Sequence, residues 1–127
     1  MKRIILLCLI VLGVVIVVWL GRRAAGEHFG ADFKGFESVQ VKDAVNPDDQ
    51  LKAKEISLSG VITRQCPSSG CWFYIKDDAG NQIKIELGHL GLKFPQRSGS
   101  RVIVEGKLIQ KGSEWQLIGN GATFGGK

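Results

Sequence analysis

The chain has 127 residues, with 17 basic against 12 acidic side chains and a formal charge of +5, enough for one domain of about 100 residues and a leader. Lys2, Arg3, Arg22 and Arg23 flank an apolar leader, so the rest of the chain, with 13 basic and 12 acidic residues, is near neutral. A basic footprint that could neutralise many phosphates is missing, which argues against a nucleic-acid-binding domain.

Ile4 to Gly21 reads IILLCLIVLGVVIVVWLG without a charge, and as a helix would span roughly 27 Å of a hydrocarbon core of about 30 Å. Residues 4–21 are therefore expected to cross a membrane, with Trp19 and the Arg22-Arg23 pair at the interface. A cleaved signal peptide, with Ala24-Ala25-Gly26 as the cleavage site, is the alternative. The expected placement is a single-pass membrane protein with its C-terminal domain extracytoplasmic, periplasmic if the source has an outer membrane. Charge flanks alone do not set that orientation. The cysteine pair Cys66 and Cys71 does favour an oxidising compartment. Cys8, inside the apolar run, is read as a small hydrophobe.

Residues 1–23 are thus the anchor or signal-anchor. Residues 24–50 follow as a tether or embracing arm, with Phe29, Phe33 and Phe36 but no sustained period. His28 is assigned no metal role. Val41 to Val45 could make one helical turn before Asn46-Pro47 stops it.

Residues 51–120 carry five strand patterns, and 121–127 read as a tail. Ile56 to about Thr63 alternates, with Gly60 marking a bulge or bend. Pro67 and Gly70 suit a tight turn between Cys66 and Cys71. Trp72 to Lys76 form the second strand, with Phe73 and Ile75 on one face and Trp72, Tyr74 and Lys76 on the other. Asp77 to Asn81 form a hairpin connection. In the third strand Ile83, Ile85 and Leu87 point inward, Gln82, Lys84 and Glu86 outward. Gly88 to Ser100 is rich in Gly and Pro, and a single turn there could plug a barrel. Val102 and Val104 point inward in the fourth strand, Arg101, Ile103 and Glu105 outward; Trp115, Leu117 and Gly119 alternate in the fifth. This order predicts an all-β domain, a five-stranded OB-fold-like Greek-key barrel preceded by one N-terminal transmembrane helix. An open five-stranded meander is the alternative.

Ser59-Gly60-Val61-Ile62, Cys66, Gly70-Cys71-Trp72, the Lys76-Asp77 hairpin and Arg101-Val102-Ile103-Val104-Glu105-Gly106 resemble a group of small bacterial OB-fold proteins over residues 41–119. Many of these are exported or membrane-tethered and of uncharacterised function. The resemblance implies a fold and an exported setting and transfers no catalytic residue. The layout is also similar to the tethered haem chaperone of cytochrome c maturation, whose C-terminal histidine-tyrosine haem motif is missing here.

Three chemistries are open to Cys66 and Cys71. A disulfide across the hairpin base would add roughly 2 kcal/mol if unstrained. A metal site could add His89, although Zn²⁺ normally takes four ligands. A thiol-redox pair would prefer closer spacing. His89 otherwise reads as a turn histidine. No acid/base pair, Ser-His-Asp spacing or phosphate loop stands out, so no enzyme and no cofactor are expected.

The outward face of the second and third strands is the expected binding surface: Trp72, Tyr74, Lys76, Gln82, Lys84 and Glu86. A protein or small ligand is the expected partner, with the domain acting as a non-enzymatic, membrane-tethered accessory. Metal or thiol-redox function at Cys66 and Cys71 is the first alternative. Single-stranded nucleic acid on the aromatic face is the second. The sequence assigns no oligomeric state.

Overall fold

The computed structural model describes residues 1–24 and 26–125, with only the backbone described for 19–24 and 53. Helix α1 (Lys2–Ala24) precedes strand β1 (Glu27–Gly30) and the short helix α2 (Val41–Ala44). A 3-10 turn (Leu51–Ala53) leads into β2 (Glu55–Gln65), β3 (Trp72–Lys76) and β4 (Gln82–Glu86). A second 3-10 turn (Gly88–Leu90) precedes β5 (Arg101–Lys111) and β6 (Glu114–Phe124).

Alternating apolar residues turn these strands into a closed barrel. β2, β3 and β4 form an antiparallel meander, β5 pairs with β2 and β6, and β6 returns parallel to β4 to close the ring. That connectivity is the OB-fold, and it excludes the open meander. Ile56, Leu58, Phe73, Ile75, Ile83, Ile85, Val102, Val104 and Leu117 fill the interior, each worth about 1.5–3 kcal/mol of burial. Coiling this tightly needs a glycine where β5 meets β6. The register shifts between Glu105 and Gly106, and a Cβ on Gly106 would run into the Ile118 carbonyl. Helix α2 buries Val41 and Ala44 against the core. At Gly88 to Ser100, Phe94 enters the interior and is 3% exposed.

Three segments bear on the expected layout. The segment read as a tether or embracing arm lies along the barrel: β1 pairs with β6 from Glu27↔Phe124 to Gly30↔Gly121, and Ser38 bridges Ser57. The segment expected as a tail begins inside β6, whose Ala122 and Phe124 are buried. Phe124 packs on Phe29 and Phe73 with ring centroids 5.7 and 5.6 Å apart. Glu105, expected outward, is 4% exposed, because alternation assigns a side of the sheet and the arm covers that side.

The leader also requires a correction. Among the described residues no helix is long and apolar enough to cross a membrane. The apolar side chains described on α1, from Ile4 to Val18, are exposed and none of them joins the barrel core. The side chains of Trp19, Arg22 and Arg23, expected at the interface, and Ala25 of the alternative cleavage site lie outside the described residues. The transmembrane helix over 4–21, the membrane partner and the single-pass, extracytoplasmic or periplasmic placement are not supported by the structure.

Candidate ligand-binding face

β3 and β4 bring the six expected face residues into three cross-strand rows: Trp72 opposite Glu86, Tyr74 opposite Lys84, and Lys76 opposite Gln82. Their core-side neighbours Phe73, Ile75, Ile83 and Ile85 are buried, which fixes the register and turns this set outward. Trp72 and Tyr74 meet edge to face, with centroids 6.2 Å apart and planes at 86°. The Lys84 ammonium stands 5.4 Å from the Trp72 centroid, 3.7 Å from the Glu86 carboxylate. Glu86 also accepts from the Gly88 N–H at 3.0 Å. Thr63 donates to the Gln82 side chain at 3.0 Å.

Arg64 belongs to this face and was missed in the sequence. The pairing of β2 with β3 slips between Ile62 and Arg64. The extra residue sets Arg64 opposite Tyr74, the way a bulge commonly re-aims a side chain. Its guanidinium lies 4.7 Å from the Tyr74 centroid and 5.8 Å from that of Trp72, each contact worth about 0.5–1 kcal/mol at an exposed site. Beside the face, a cavity of about 210 Å³ runs past Tyr74 and Lys84 to Val45 and Trp115. The signal in the sequence was the polar pair Thr63-Arg64, which breaks an otherwise regular alternation.

These ring contacts also correct the nucleic-acid alternative. Trp72 and Tyr74 meet edge-on and carry the protein's own cations over their faces. Bases stack on open aromatic faces, and these faces already carry the protein's own side chains.

The cysteine expectations are corrected as well. Cys66 and Cys71 are free cysteines. The Cys66 N–H bonds to the Trp72 carbonyl at 2.9 Å, so the ladder sets Cys66 across from Trp72. Cys66 therefore stands one residue out of register with Cys71. The Cys66 sulfur turns to Ser68 Oγ at 3.3 Å and Ser69 Oγ at 3.8 Å, whereas Cys71 packs against the core. The expected disulfide is absent, and the exchange-active pair is not supported. Among the described residues no group of three His, Cys, Asp or Glu side chains could hold a metal ion, which removes the Cys66, Cys71 and His89 site. The Ser68 hydroxyl, the Ser69 and Ser68 N–H groups and the Ser69 hydroxyl lower the Cys66 thiol from 9.0 to about 6 against a smaller opposing effect of burial.

The turn itself is tied down. Gly70 adopts φ +65°, where a Cβ would stand 2.8 Å from both Gln65 Nε2 and the Phe94 carbonyl. Buried Gln65 donates to the Gly70 and Pro95 carbonyls at 3.3 and 2.9 Å and accepts from the Arg97 N–H at 2.8 Å. The Phe94 loop is thereby fastened to the cysteine turn.

His89 lies in a cavity of about 270 Å³ under the arm, with Phe36, Leu90 and Glu105. There the Glu105 carboxylate accepts the N–H groups of Lys34, Gly35 and Phe36 at 2.7, 3.0 and 3.0 Å. His28 closes the same arm, its Nε2 donating to the Ala31 carbonyl at 2.8 Å and its Nδ1 accepting from the Thr123 hydroxyl at 2.7 Å.

No family model and no curated protein matches the chain. Among solved structures it is similar to the hypothetical protein ygiW from E. coli, at 15% identity and TM-score 0.52, over 72% of this chain and 99% of that one. It is also similar to a protein assigned as an aspartyl-tRNA synthetase from Leishmania major Friedlin, at 10% identity and TM-score 0.56. That match covers 78% of this chain and 22% of the synthetase. Both likenesses show the fold, and the first supports the resemblance to small bacterial OB-fold proteins. Neither likeness bears on the Gly70-Cys71-Trp72 signature, which they leave unsupported.

Proposed function

We propose that this chain is a non-enzymatic binding domain that recognises a partner on the outward face of β3 and β4. Trp72, Tyr74, Lys76, Gln82, Lys84 and Glu86 form the contact surface, and the barrel with its arm is the unit that presents it. The observation that carries this reading is the half-exposed Trp72-Tyr74 pair held between Arg64 and Lys84. Aromatic side chains and arginine are the residues that dominate recognition surfaces. The face offers shape, ring edges and fixed charge, and no nucleophile paired with a base, which suits recognition rather than turnover.

A photo-crosslinking residue placed at Gln82 in the full chain, with Lys107 on β5 as the control position, tests this in the source cells. Discrete adducts from Gln82 and none from Lys107 are expected. Equal labelling from both positions, or adducts from Lys107 alone, would reject the face.

A further inference from the structure

The register of the barrel places three side chains in one row: Arg64 opposite Tyr74, and Tyr74 opposite Lys84. Two cations therefore bracket an aromatic ring across three strands, with backbones about 10 Å apart at two strand spacings. Their electrostatic states differ. Lys84 is engaged by Glu86 at 3.7 Å. For Arg64, among the described residues, no carboxylate lies within ion-pair distance and no hydrogen bond uses the guanidinium. A guanidinium laid on two rings has already lost much of its rotamer freedom, and its fork of N–H donors matches a carboxylate bidentately. It is a preorganised cation awaiting an anion.

Resting on the proposed binding face, we infer that the Arg64–Tyr74–Lys84 row is a carboxylate receptor for an acidic segment of a protein partner, with Arg64 as its anchor. Charge complementarity selects that occupant. Arg64, Lys76 and Lys84 outnumber Glu86 on the face, and Glu86 is already engaged by Lys84 and by the Gly88 N–H. A polyphosphate chain would seek a broad basic track, and the rest of the domain is near neutral. Alternate residues of one extended segment share a face about 7 Å apart. Two flexible acidic side chains at such positions can address both cations, whose charged groups lie 5.8 and 5.4 Å from the same Trp72 ring.

The test titrates the full chain at low salt with an octaglutamate peptide and, separately, with an oligothymidylate of eight nucleotides. Wild type is compared with Arg64→Ala, Arg64→Lys, Trp72→Ala and the control Lys107→Ala, each checked for an unchanged thermal midpoint. Arg64 is exposed, so its variants keep the fold. Arg64→Ala should weaken peptide affinity about tenfold and Arg64→Lys about threefold, because lysine keeps the charge and loses the fork. Lys107→Ala should bind as wild type. Wild-type affinity in Arg64→Ala or Arg64→Lys overturns the receptor, as does no peptide binding by wild type or tighter binding of the oligothymidylate. If Trp72→Ala alone weakens binding, the face survives and the carboxylate anchor falls; if neither Trp72→Ala nor Arg64→Ala matters, both readings fall together.

Discussion

Replacing Glu105 by alanine should undock the arm. The carboxylate is 4% exposed and accepts three successive backbone N–H groups from Lys34, Gly35 and Phe36 at 2.7–3.0 Å. A hydrogen bond to a charged group contributes about 1.5–3 kcal/mol net. The full value is not expected from all three, since Lys34 and Gly35 are exposed and water can reach their N–H groups once the carboxylate is gone. The expected loss is therefore about 3 kcal/mol. Glu105→Gln should lose about half of that, because its amide retains one acceptor oxygen and turns an NH₂ toward the remaining donors. Denaturant unfolding reads the global loss. Amide hydrogen exchange reads its place, with faster exchange predicted at 34–36 and in β1 and little change in β3 and β4. An unchanged unfolding midpoint with unchanged protection at 34–36 would refute the latch.

Two other outcomes follow from particular side chains. With its thiol lowered to about 6, Cys66 is charged once the pH rises above that value. Its alkylation rate, followed by peptide mass, should climb through pH 6 and level off by about pH 7.5; a midpoint near 8.5, where a free thiol titrates, would contradict this. Ser68→Ala should move the midpoint upward, since the Ser68 hydroxyl is the largest cause. Phe124→Ala should cost about 3–5 kcal/mol in denaturant unfolding, as its ring packs with those of Phe29, Phe73 and Phe94; a loss under about 0.5 kcal/mol would mean that the end of the chain dangles.

How far the sequence could be read depended on whether a local pattern or a distant neighbour decides each residue. Alternation placed Phe73, Ile75, Ile83 and Ile85 inside and Trp72, Tyr74 and Lys84 outside, and the strand order was enough for the barrel. Glu105 obeys the same alternation, yet what lies over its side of the sheet is an arm some 70 positions away. Nothing in β5 announces it. Strand β1, Glu27–Gly30, is four residues without a period, and its existence depends on the free edge of β6. The cysteines illustrate a register limit, because a turn of known length does not say which residues stand opposite, and one step separates a bridge from two unbonded thiols. The bulge at Thr63 is the intermediate case. The sequence set the irregularity of this strand at Gly60, whereas the slip falls at Thr63, and only its consequence, Arg64 laid over Tyr74 and Trp72, made it part of a site.

Amide chemical-shift mapping of the full chain with the octaglutamate peptide tests the central claim most directly. The account predicts perturbations concentrated at Arg64, at Trp72 to Lys76 and at Gln82 to Glu86, with the indole N–H of Trp72 among the largest. Perturbations centred instead on the cavity under the arm, at His89, Leu90 and Asn120, would contradict it.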